Sequence, residues 1–117
     1  MLLRGSSEHT GDTYDFRSIN GEAVDTCGIP HAGLLIRFAE AVLDPEAAVS
    51  PIRQEVWQTL GEAALVDSAA VIAIFNAVVR IADATGISLE DYKVDLTESL
   101  RAELGIDNFL AATQNRT

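Results

Sequence analysis

Cysteine, basic residues and aromatics are all scarce in this chain, and each shortage removes a class of protein. One cysteine, Cys27, among 117 residues cannot close an internal disulfide, and that count reads as a reducing compartment. Lysine and arginine number 8 against 18 acidic residues, a formal charge of −10. That balance repels phosphate backbones and anionic lipid surfaces, so neither nucleic acid nor a membrane is an expected partner. No stretch alternates apolar and polar residues as a half-buried strand must. The first ten residues, MLLRGSSEHT, lack the apolar core of a secretion signal. The longest apolar stretch is interrupted by Asn76 and Arg80, short of the roughly 20 residues that cross a bilayer. These shortages predict a soluble cytoplasmic protein with a single core.

What the chain has in quantity is alanine and other apolar residues, 48% of the total. They are arranged at helical spacing from Pro30 onward. Residues 1–28 are rich in Gly, Ser, Thr, Asp and Asn and hold no period of 2 or 3.6, which predicts an irregular or disordered arm. A helical domain is expected over 29–117. Its first helix starts at Pro30, where a missing N–H costs nothing. It buries Leu35, Phe38, Ala39 and Val42 and ends at Asp44-Pro45. A second starts at Ser50-Pro51, with Ile52, Val56, Trp57 and Leu60 as its buried stripe and Gly61 at its end.

A third helix is expected from Asp67 or Ser68 to Gly86, capped by a short side-chain oxygen at one end and by glycine at the other. Its first half is apolar on every side, which predicts that protein surrounds it. Ser88 and Asp91 resemble a capping box for a fourth helix. That helix carries Leu96, Leu100 and Leu104 at every fourth position and stops at Gly105, with a last short turn through Phe109 and Leu110. The class is all-α.

Candidate chemistry is thin. Cys27 and His31 stand four apart, a spacing at which a histidine on the same helical face takes a thiol's proton and makes it a nucleophile. Gly28 and Pro30 lie between them and oppose a helix there. A metal site needs three or four convergent ligands; with only two histidines, His9 and His31, no metal is expected. The acids Glu90, Asp91 and Asp95 lack calcium-loop spacing. Phosphate-loop, dinucleotide and serine-nucleophile motifs are absent from the sequence, and no cofactor is expected.

Asn76, Arg80 and Asp83 form the one polar stripe on the third helix. Three readings stand open: a surface ion pair, a half-buried cluster that sets how helices dock, or a substrate contact. The pair Asp67-Ser68 at a helix start also resembles the phosphopantetheine attachment site of acyl carrier proteins, although the helix it would open is apolar rather than acidic.

Three segments, LLIRFAEAVLDPEAAVS, EVWQTLGEAALVDSAAV and IFNAVVRIADATGISLEDY, resemble the C-terminal half of the alkylhydroperoxidase AhpD-like, or carboxymuconolactone decarboxylase-like, superfamily. The resemblance covers about residues 34–92. Its most specific part is the helix reading F-N-x-x-x-R-x-A-D, with Gly-Ile and an acidic turn after it. It implies an all-α helical bundle, here truncated, that assembles into homo-oligomers through helix packing. Peroxidase members use a Cys-x-x-Cys pair with a histidine four residues beyond the second cysteine and a nearby glutamate. This chain has Val24 where the first cysteine would stand.

The resemblance therefore implies a family member without that motif and catalytically incompetent alone, in which Asn76, Arg80 and Asp83 are structural. Two alternatives are a peroxidase that uses the single thiol of Cys27 with His31 as its base, and a binding or regulatory helical module.

Overall fold

The computed structural model describes residues 9–22, 24–88 and 91–108. Among them every regular element is a helix and none is a strand. Four are α-helices of 12 residues or more: α1 (Ala32–Leu43), α2 (Val49–Leu60), α3 (Glu62–Thr85) and α4 (Asp91–Leu104). The contacts divide into two compact units. One holds α1, α2 and α3; the other joins the described residues before Pro30 to α4 and the turn after it.

Local chemistry explains most of the helix ends. His31 takes a left-handed conformation, φ 59°, which delays the start of α1 to Ala32 rather than Pro30. Asp44 ends α1 as expected, donating its N–H to the Glu40 carbonyl. α2 starts at Val49 without a side-chain cap, and Pro51 still falls in its first turn, where it is tolerated. Gly61 stops α2 with φ 89° and ψ 171°, a region that only glycine enters freely.

The next helix begins at once. α3 starts at Glu62, five residues before the expected cap, because Glu-Ala-Ala-Leu contains strong helix formers and no breaker. Gly86 closes it as expected. Residues 89–90 and 109–117 lie outside the described residues, and so do the middle of the capping box read at Ser88 and Asp91 and the short turn read through Phe109 and Leu110.

In the three-helix unit the core is Leu34 and Phe38 of α1 against Val56 of α2, ringed by Val49, Ile52, Leu60 and, from α3, Leu65, Ala69 and Ile72. Arg37 of α1 reaches Glu55 of α2 at 2.6 Å; both are exposed, so this pair is worth at most about 1 kcal/mol. Val56 is buried as the stripe of α2 requires, but Trp57, read as its buried neighbour, is 51% exposed. Trp57 lies one position off the Ile52–Val56–Leu60 line, and no third element covers it.

The larger correction concerns α3. No residue of it is buried, although its first half was expected to be enclosed. The reasons are number and length: among the described helices only α1 and α2 pack against α3. α1 and α2 have 12 residues each and α3 has 24, so two rods of about 18 Å face one of about 36 Å. They can cover only one side of its N-terminal two-thirds.

In the other unit, residues 16–20 and 24–26 form two 3-10 turns within the segment read as an irregular arm. Ser18 is buried there, and Asn20 donates its side-chain amide to the Leu104 carbonyl at 3.2 Å, satisfying the last turn of α4. Asp15 and Cys27 are joined backbone to backbone at 3.0 Å. A Cβ on Gly28 would stand 2.5 Å from the Thr13 carbonyl oxygen, so that crossing of chains requires glycine. On α4, Leu100 and Leu104 are buried as read, whereas Leu96 is 67% exposed; Thr97 takes the inward place beside it.

Phe38→Ala should destabilise the three-helix unit by about 3–4 kcal/mol, and Leu96→Ala should stay within about 0.5 kcal/mol of the parent. Urea unfolding monitored by circular dichroism checks both.

Candidate functional site

Cys27 and His31 do not share a helix. The chain between them runs through bends and turns, so the four-residue spacing does not place them on one face. Cys27 is 1% exposed and His31 is exposed. A reactive thiol needs an approach for its substrate and positive surroundings that favour the thiolate, and burial at Cys27 supplies no approach.

Asn76, Arg80 and Asp83 line up on α3 with Asn76 half-buried and the other two exposed. Asn76 borders an apolar groove. The pair Asp67-Ser68 sits in the second turn of α3 rather than at its start, and Ser68 is half-buried against α1. A carrier attachment site presents its serine on an exposed helix end, and this geometry does not supply one.

A polar cleft of about 500 Å³ lies in the unit of the 3-10 turns, bordered by Thr13, Tyr14, Asp15, Arg17, Thr26 and Glu103. Its cation is already engaged. Arg17 donates from Nε at 3.0 Å and from a terminal nitrogen at 2.6 Å to the two oxygens of Asp15. The Asp15 carboxylate also accepts from the Arg17 backbone N–H at 3.0 Å, which caps the 3-10 turn. Those hydrogen bonds, the guanidinium's first, hold Asp15 below the ordinary aspartate range. Loss of hydration, then the charge of Asp12, raises the Tyr14 phenol. Among the described residues no three His, Cys, Asp or Glu side chains converge as a metal site would need.

What the chain presents instead is apolar surface. Val66, Val71, Ile74 and Phe75 are each 54 to 61% exposed, and Val78, Val79 and Ile81 continue the face toward Gly86. A groove of about 430 Å³ runs beside it, between Ala39 and Leu43 of α1 and Val71, Ile72, Phe75, Asn76 and Val79 of α3. A second, of about 300 Å³, extends the same trough past Leu35, Asp67 and Ser68. A contiguous apolar patch of this extent is uncommon on the surface of a soluble monomer.

At 24 residues, α3 is also long and apolar enough to cross a membrane by length and composition, beyond what the interrupted apolar stretch predicts. These apolar residues were legible in the sequence, but as core. The signal of their exposure was the mismatch in helix length, 12 and 12 against 24, which arose from Gly61 as the break.

Comparison of the chain with family models, curated proteins and solved structures finds no match.

Two measurements test these placements. The Cys27 thiol should resist a colorimetric disulfide reagent in the native protein and react within seconds in guanidinium; rapid native labelling would contradict its burial. The Asp15 carboxyl should titrate below the ordinary aspartate range by carbon-detected NMR. Because its folded value is depressed, its contribution to stability is present above the unfolded value and is lost as pH falls through the folded one. The Phe16–Asn20 turn should therefore persist in mild acid and release only at lower pH.

Proposed function

We propose that this chain is an AhpD-like helical protein of the cytoplasm that works by assembling with itself and has no disulfide peroxidase chemistry of its own. The observation that carries the reading is the uncovered apolar face of α3. Seven branched or aromatic side chains of one helix stand more than half exposed, an arrangement that water disfavours and that a second copy relieves. The resemblance of residues 34–92 to a superfamily whose members assemble through helix packing supports it. So does chemistry: a peroxidase cycle that closes a disulfide within one chain needs two thiols, and this sequence has one, held at 1% exposure.

Asn76, Arg80 and Asp83 serve here as a polar edge to the apolar surface, limiting where a partner helix can sit. The charge of −10 keeps such an assembly from growing without limit by repelling further copies.

Size-exclusion chromatography with light scattering at micromolar concentration should return a dimer or a larger closed oligomer. Ile74→Asp places a charge in the exposed face without touching Leu34, Phe38 or Val56. It should weaken association by about 3 kcal/mol, roughly a hundredfold in dissociation constant, with helical circular dichroism unchanged. A well-folded monomer of the parent chain at that concentration would overturn the proposal.

A further inference from the structure

We infer that the trough between α1 and α3 receives a basic amphipathic helix of another protein, an occupant separate from the second copy proposed above. The exposed apolar surface of α3 is wider than one neighbour covers. At about 100° per residue, Val66 and Phe75 stand on opposite sides of the helix, and both are more than half exposed. A packed neighbour covers a stripe of roughly 100°. A copy lying against Val66, Ile74 and Ile81 therefore leaves Val71, Phe75 and Val79 in water, and these three line the trough.

The shape suits a helix. Leu35, Ala39 and Leu43 of α1 face Val71, Phe75 and Val79 of α3 across an apolar floor. A third helix can lay an apolar stripe into such a groove, with anchors at every third or fourth residue. The trough is open along its length. A small apolar molecule would keep one side in water there, whereas small-molecule sites enclose most of their ligand.

Charge selects the partner. Asp67 lines one end of the trough. Asp83 is exposed and stands at the other end, one turn beyond Val79 and within about 20° of Asn76 around α3. On the α1 lip Glu40 is exposed, one turn before Leu43. The nearby bases face elsewhere: Arg37 reaches Glu55 of α2, and Arg80 lies about 140° around α3 from Phe75.

An apolar floor with a carboxylate at each end, about 24 Å apart along α3, calls for a helix of roughly four turns with Lys or Arg near both ends. A second copy has no such helix to offer. α1 and α2 each hold one arginine and one glutamate, α3 one arginine against three acids, and α4 two bases against four acids. The same carboxylates oppose an anionic lipid surface.

The test titrates the full chain into a fluorescent synthetic peptide of about 20 residues, leucines on one helical face, glutamines on the other and lysines at both ends. A twin peptide carries glutamates in place of the lysines. Fluorescence anisotropy should show the lysine peptide binding at least tenfold more tightly than its twin. Asp67→Lys with Asp83→Lys should weaken the lysine peptide tenfold or more and tighten the twin, with circular dichroism unchanged. Asp95→Lys with Glu98→Lys, the same change of net charge on α4, should stay within about threefold of the parent.

Equal binding of the two peptides would overturn the inference, as would equal effects of the two pairs of substitutions or no binding below about 1 mM. So would flotation of the chain with phosphatidylcholine vesicles that excess lysine peptide leaves unchanged, which would assign the trough to lipid. Light scattering reads self-assembly separately. A monomer that binds the lysine peptide would keep this inference and remove the proposed function, and an oligomer that ignores the peptide would do the reverse.

Discussion

The burial of Phe38 and Leu34 against Val56 holds the three-helix unit together, and the size of that contact governs everything else about it. Three buried side chains and their half-buried ring are what two 12-residue helices can offer a third. Burial of apolar area at roughly 25 cal/mol per Å² rewards every further turn of α3 that finds cover, but α1 ends at Leu43 and α2 at Leu60. The remaining turns of α3 keep their side chains in water. A helix with one satisfied face and one unsatisfied face is the consequence, and the functional reading grows out of it.

Polar features arrange themselves around that fact. Asp67, Arg80 and Asp83 punctuate α3 at the margins of its apolar surface, and Asn76 borders the groove beside α1. In the second unit the polar groups are mostly turned to local structure. Asp15 caps its own 3-10 turn and clamps Arg17, and Asn20 satisfies the end of α4. Side chains consumed in this way rigidify a segment and leave little to offer a ligand. The cysteine and the two histidines that might suggest catalysis belong to no shared constellation among the described residues.

Much of this was written locally. Gly61, Gly86 and the Asp44-Pro45 pair end their helices because a glycine, or a proline acting on the residue before it, works on its own few residues, whatever the rest of the chain does. The all-helical class comes from the same short-range spacing. Misreadings arose where a local signal competed with a neighbour. Asp67-Ser68 looks like a cap, yet Glu62 to Leu65 had already started the helix. Leu96 has the spacing of Leu100 and Leu104, yet Thr97 occupies the inward place.

By itself, then, the sequence determined the helices, their stops, the lone thiol and the acidic charge, all set by chemistry within a turn or two. It also determined that α3 is apolar nearly all round. Whether that apolar surface is core or left exposed was decided only in three dimensions, because cover depends on the length and placement of helices distant along the chain. Periodicity records which side chains avoid water; only the packed neighbours determine how many of them succeed.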